Sequence, residues 1–170
     1  MADFFIYKPK LEKWEGKKFV ADPADYGGAT NRGVTLGTFR MIFGETKTVA
    51  DLKNMTDQQW LAIMKGYFWD KKCHAGEINN QSVAEIFVDW CINSGVAKIK
   101  MVQSFVGVTA DGIVGKVTIA AINSANQENL HRRIKLARAQ RYMDQLASDR
   151  SQMKYFNGWF NRLIDFNYKK

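Results

Sequence analysis

The sequence predicts a mostly α-helical protein whose helical run is broken once, after the first helix, by a short β-hairpin or irregular loop excursion. Two observations carry this. Apolar residues recur at helical spacing almost throughout the 170 residues. That periodicity vanishes between Gly16 and Val34, a stretch holding one of the two prolines and the glycines Gly16, Gly27, Gly28 and Gly33.

Taken in order, Phe4, Tyr7, Leu11 and Trp14 form a helical stripe, with Pro9 expected to kink the segment or to start a shorter helix. After the excursion, Thr35 is placed to cap a helix through Phe39, Ile42 and Phe43 that Gly44 ends. Thr56 and Gln59 have capping-box spacing ahead of Trp60, Ile63, Met64, Tyr67 and Phe68. The cleanest helix begins after Ser82 and puts Val83, Ile86, Phe87, Trp90, Cys91 and Ser94 on one face, with Gly95 as its stop. Val96 to Val106 reads as a helix, and Asp111-Gly112 as a turn. A short helix near Lys116–Asn123 and a longer one from about Gln127 to Arg150 follow. Phe156, Trp159, Phe160, Leu163 and Ile164 predict a last helix that docks an aromatic face on the core.

Composition narrows the function classes. Lys and Arg total 25 against 17 Asp and Glu, a net charge of +8 that favours an anionic partner such as nucleic acid, a membrane surface or a cell wall. The densest basic group, Arg132, Arg133, Lys135, Arg138 and Arg141, has the spacing of solvated helix faces. No nucleic-acid-binding motif accompanies it, so nucleic acid is not the expected partner. Cys73 and Cys91 are too few for a disulfide framework, and Cys91 falls on an apolar stripe. His74 and His131 lack metal-ligand spacing, and neither a metal nor a cofactor is expected. The charged N-terminus has no secretory core, and no run approaches the ~20 apolar residues of a membrane span. The expectation is a product made in the cytoplasm. No linker or repeat divides the chain, so one compact unit is expected.

The chemistry is sought where the periodicity fails. Glu15 closes the first helical stripe and opens the glycine-bearing loop, a position that can set a carboxyl on a cleft wall against aromatic surface. A solvated glutamic acid with pKa about 4.3 is only about 2% protonated at pH 6, whereas one raised to about 6 by desolvation is half protonated. Glycosidic cleavage needs such an acid for the leaving oxygen, and a second polar group for the opposite face of the sugar. Asp22, Asp25 and Thr30 lie downstream in the same loop and face Glu15 if it folds back as a hairpin. Turn capping by Asp22 and Asp25 is the competing reading. Tyr26 can stack on a sugar ring or pack in the loop. Asn93, one residue off the Trp90/Ser94 stripe, is a saccharide-binding candidate.

The stretch Trp14-Glu15-Gly16, then Asp22-Pro23-Ala24-Asp25-Tyr26-Gly27-Gly28-Ala29-Thr30 and Arg32-Gly33-Val34-Thr35, resembles the signature of glycoside hydrolase family 108. Its members are bacterial and prophage N-acetylmuramidases, some labelled secretion activators. Tyr67-Phe68-Trp69-Asp70 and Phe87 to Gly95 match its later helical blocks. Gln103 to Val108, Asp111 to Gly115 and Thr118 resemble the predicted peptidoglycan-binding half of the same proteins, and Gly158-Trp159 and Arg162 fit its C-terminal end. The resemblance implies a lysozyme-like helical fold, with a catalytic part over residues 1–95 and a peptidoglycan-binding part over 96–170. It implies hydrolysis of the β-1,4 bond between N-acetylmuramic acid and N-acetylglucosamine in peptidoglycan glycan strands. Glu15 matches the family's catalytic glutamate, and Asp25 and Thr30 resemble the residues that hold the attacking water in phage lysozymes. Lys17 replaces the family's usual second glycine, and the loop to Asp25 is one residue longer than usual, so Asp22 stays open beside Asp25 as the second carboxylate.

Two other functions fit the same scaffold: a non-catalytic wall-binding or export-assisting module, and a lytic transglycosylase that forms 1,6-anhydro ends. A wall substrate without a secretory signal leads to the expectation of action on the cell wall or periplasm, reached with a holin-like membrane partner.

Overall fold

The computed structural model describes residues 1–16, 19–20 and 28–170, which divide into two units, Phe4–Lys71 and Met1–Asp3 with Lys72–Lys170. As the sequence predicts, the fold is mostly helical with a small antiparallel sheet.

In the first unit, helix α1 (Phe4–Glu15) buries Phe4, Tyr7 and Leu11 of the predicted stripe, while its last member, Trp14, is half-buried. It runs continuously through Pro9, which lies on the exposed face. Phe4 and Tyr7 pack on the buried Trp69 ring, with centroids at 5.6 and 5.8 Å. Three short strands, β1 (Phe19–Val20), β2 (Thr30–Asn31) and β3 (Val34–Thr35), then form an antiparallel meander in the order β1-β2-β3.

Local capping chemistry sets the next helices. Thr35 caps α2 (Leu36–Phe43) by accepting from the Thr38 N–H at 3.1 Å, and Gly44 ends it at φ 111°. Thr48 and Asp51 form a capping box on α3 (Val49–Lys53). Thr56 and Gln59 form the predicted one on α4 (Asp57–Leu61): the Thr56 N–H donates to Gln59 Oε1 at 2.9 Å and the Gln59 N–H to Thr56 Oγ1 at 3.2 Å. The chain continues as a π-helix over Ala62–Lys72. Here the buried pairs Ile63/Phe68 and Met64/Trp69 are five residues apart, which is the hydrogen-bonding period of a π-helix and not of an α-helix. The wider period brings Trp69 into the core beside Phe68.

In the second unit, α5 (Gln81–Ser94) starts two residues earlier than expected because Asn80, not Ser82, is its cap, accepting from the Val83 N–H at 3.1 Å. Gly95 stops it at φ 86°. Every residue from Ser82 to Cys91 is buried, so the helix is enclosed and not one-sided. Cys73 and Cys91 are free buried thiols, and burial together with the neighbouring Cys91 raises the Cys73 pKa. Next come α6 (Lys98–Phe105), α7 (Lys116–Ser124), α8 (Gln127–Ser148) and α9 (Met153–Asp165). Between α6 and α7, Gln103 holds the Asp111-Gly112 turn: its Nε2 donates to Asp111 Oδ1 at 2.7 Å and its Oε1 accepts from the Gly112 N–H at 2.8 Å.

Two expectations are corrected here. Arg138 does not belong to a solvated basic face. It is fully buried on α8 and donates to Asp89 Oδ2 at 2.7 Å, while Arg162 on α9 donates to Asp89 Oδ1 at 2.6 Å. Burial opposes the charge on Arg138, and the Asp89 carboxylate more than restores it, holding its pKa above the ordinary value. Aiming Arg162 at Asp89 also rotates α9. Trp159 stacks on Tyr142 at 5.4 Å, but Phe160 and Ile164 stay 40% and 52% exposed, so the aromatic face docks only in part.

Asp89→Ala would leave two buried guanidinium groups facing each other without their anion. The variant is expected to lose about 3–5 kcal/mol of unfolding free energy in a denaturant titration.

Candidate active site

Glu15 is the last residue of α1, and the helix stops at Gly16, whose N–H reaches back to the Glu12 carbonyl at 3.1 Å with φ 68°. The Glu15 side chain is half-buried and lies against the turn between β2 and β3. That turn is Arg32-Gly33, with φ 49° and 76°, and the register pairs Asn31 with Val34 and Thr30 with Thr35. Two successive residues at positive φ in a two-residue loop make a type I′ hairpin turn, the kind whose twist suits the flanking strands. A Cβ on Gly33 would overlap the Glu15 carboxyl and stand 2.8 Å from its Cγ. Glycine at 33 is therefore required twice, by the backbone angle and by the carboxyl that fills the space of the missing side chain.

Arg32 anchors the same turn. Its carbonyl accepts from Trp60 Nε1 at 3.1 Å, and its guanidinium lies 4.8 Å from the centroid of the Trp60 ring. Nη1 donates to Asp57 Oδ1 at 2.5 Å, and Nη2 stands 3.6 Å from Glu12 Oε1, which also pairs with Lys8 at 2.9 Å. A cavity of about 330 Å³ opens here, lined among the described residues by Glu12, Gly16, Arg32, Asp57 and Trp60. Its size is at the lower end of small-ligand sites.

Of the predicted site residues, the structure places Glu15 and Thr30 in the first unit. Thr30 is half-buried on β2, paired with Val20 on one side and Thr35 on the other. Its neighbour Asn31 points to the opposite face, is buried, and donates to the Leu52 and Lys53 carbonyls at 2.8 and 3.1 Å. Asp22, Asp25 and Tyr26 lie outside the described residues. Asn93 is in the second unit, exposed near the end of α5, where its Oδ1 accepts from Tyr142 Oη at 3.5 Å. Sequence reasoning missed Arg32 and the second role of Gly33. Only an Arg-Gly pair in a turn marked the position, and the contacts to Asp57 and Trp60 join residues 25 and 28 positions apart.

Comparison with known proteins places these residues in context. Residues 9–95 match the family described as Glycosyl hydrolase 108, and residues 97–164 match one described as a predicted peptidoglycan domain. The structure of SagA from Brucella abortus is similar at TM-score 0.82 and 29% sequence identity, covering 96% of this chain and 90% of that one. No protein of curated function matches the sequence.

Gly33→Ala is expected to push the Glu15 carboxyl aside and lower hydrolytic activity on cell walls at least about tenfold, the scale that misplacing a reacting group produces. Gly44→Ala is the control. It is strained in the same φ sense but has open space at its Cβ, so it should lower Tm and leave the rate per folded molecule unchanged.

Proposed function

The chain belongs to glycosyl hydrolase family 108, and from that membership we propose that it is an N-acetylmuramidase, with Glu15 as the general acid. The bond cleaved is the β-1,4 linkage between N-acetylmuramic acid and N-acetylglucosamine. The observation that carries this reading is the position of the Glu15 carboxyl, held at the end of α1 against the Gly33 backbone of the hairpin turn.

In the proposed reaction the Glu15 carboxyl gives its proton to the glycosidic oxygen as the C–O bond to the anomeric carbon breaks. A water oxygen bonds to that carbon, and its proton passes to a carboxylate on the excursion, Asp25 or Asp22. Thr30 helps to hold the water through its hydroxyl. Tyr26 and Asn93 are the proposed saccharide contacts. Asn93 has an amide nitrogen that makes no hydrogen bond among the described residues, and amide donors suit sugar hydroxyls and acetamido carbonyls. The peptidoglycan match over residues 97–164 supports glycan strands as the partner, and the net charge of +8 draws the protein to an anionic wall.

The test is mass spectrometry of muropeptides released by wild type and by Glu15→Gln. Wild type is expected to yield products carrying the elements of water at N-acetylmuramic acid reducing ends. Glu15→Gln should lose about 10²–10⁴-fold in rate, the usual contribution of general acid catalysis. Retention of most activity in Glu15→Gln would remove Glu15 from the role. Anhydro ends would make the enzyme a lytic transglycosylase, and binding without cleavage by wild type would leave only a wall-binding or export-assisting module.

A further inference from the structure

We propose that Arg32 is a positioning residue for Glu15: clamped between Asp57 and Trp60, it fixes the turn whose next residue, Gly33, walls the Glu15 carboxyl. The proposal rests on the reading of Glu15 as the acid.

Arg32 sits in an unfavourable place. The first position of a type I′ turn calls for φ > 0 and selects Asn, Asp or Gly. Here an arginine occupies it, at φ 49°. Nothing in the turn itself favours arginine, so the reason must lie in its side chain. That side chain is 19% exposed and reaches two other elements. On α4 it pairs with Asp57 and lies over the Trp60 ring, and on α1 it approaches Glu12 at 3.6 Å. Arginine suits this combination, since a planar guanidinium can pair with a carboxylate and stack on an aromatic face together, whereas a lysine ammonium is a point charge. Trp60 adds a fourth tie through the Arg32 carbonyl at 3.1 Å.

Glu12 lies one turn before Glu15 on α1. Arg32 therefore connects the helix that carries the Glu15 carboxyl to the turn that walls it, and α4 holds both. Asp57 alone is 86% exposed, and an exposed pair contributes little to stability. Its value here is geometric: it sets the azimuth of the guanidinium over Trp60, and so the placement of the Arg32-Gly33 peptide relative to α1.

Arg32→Asn separates this role from plain turn formation. It creates Asn-Gly, the preferred type I′ pair, so the hairpin should be kept or strengthened while the clamp is lost. Steady-state kinetics on soluble peptidoglycan fragments are expected to show kcat reduced about 10- to 100-fold, the scale of a positioning loss, with KM changed less than about threefold and Tm not lowered. Arg32→Lys should recover part of the loss. Asp57→Asn, which leaves Arg32 in place without its anchor, should lower kcat in the same direction and combine non-additively with Arg32→Asn; it decides the matter if Arg32→Asn does not fold. A kcat within twofold of wild type in the folded variants overturns the proposal, as does a raised KM at unchanged kcat, which would make Arg32 a substrate contact. Glu15→Gln run in the same assay keeps the two readings apart. If it is inactive while Arg32→Asn is not, only the clamp fails; if it is active, the acid assignment fails.

Discussion

A Cβ at position 33 and the carboxyl of Glu15 cannot occupy the same space, and much of the first unit is arranged around that exclusion. Glycine at 33 permits the type I′ turn with Arg32, and a two-residue turn fixes the strand register at Asn31↔Val34 and Thr30↔Thr35. Because side chains alternate along a strand, that register sends Asn31 inward to the Leu52 and Lys53 carbonyls and turns Thr30 to the other face. A slip of one residue would bury the threonine and leave the Asn31 amide without its two carbonyl partners. The same register delivers Thr35 to the start of α2 as its cap. The seat of the Glu15 carboxyl, the facing of Thr30 and the start of the next helix are thus all tied to one two-residue turn with glycine at 33.

The second unit is organised by charge. Asp89 is fully buried within α5 and takes a guanidinium from α8 and another from α9. Such a cluster is a weak source of stability compared with packed hydrocarbon, but it tolerates few alternatives, since any other register of the three helices strands a buried ion. It also explains why α9 leaves Phe160 and Ile164 exposed: the orientation that aims Arg162 at Asp89 turns those side chains away from the core.

What the sequence made legible follows the range of the interactions. Caps at Thr35, Thr56 with Gln59, and Gly95 depend on residues within a few positions of each other, and each is found where the pattern put it, as is the Asp111-Gly112 turn, although Gln103 helps to hold it from farther off. Asn80 took the place of Ser82 because both are good capping residues two positions apart, and spacing does not rank them. Arg138 was misread because its partner is 49 residues away, so that its periodicity matched a solvated face. The π-helix was missed because a stripe of Trp60, Ile63, Met64, Tyr67 and Phe68 fits an α-helix until Trp69 is counted as core. Glu15 is instructive in another way. Spacing made it only a carboxyl at a helix end, and the family resemblance gave it a role. The wall that Gly33 provides comes from a part of the chain too far from Glu15 for any local pattern to mark it.

Among the described residues only Arg32 and His74 are non-glycines at positive φ, and their comparison shows what such strain is for. Each holds a carboxylate with its side chain, Asp57 for Arg32 and Glu77 for His74, the latter at 3.0 Å. A left-handed residue costs about 1–2 kcal/mol, and an exposed ion pair offsets little of that, so what each tie supplies is a fixed geometry. The two ties differ in reach. His74 bonds only three residues along the sequence, to Glu77 at the end of the turn Ala75–Glu77, so the device is local. Arg32 bonds across 25 residues and draws a strand turn, α1 and α4 to one point. Only the second arrangement can transmit position from one element to another. It is found one residue from the glycine that meets Glu15, where a displacement of the turn by a fraction of an ångström would be felt at the carboxyl.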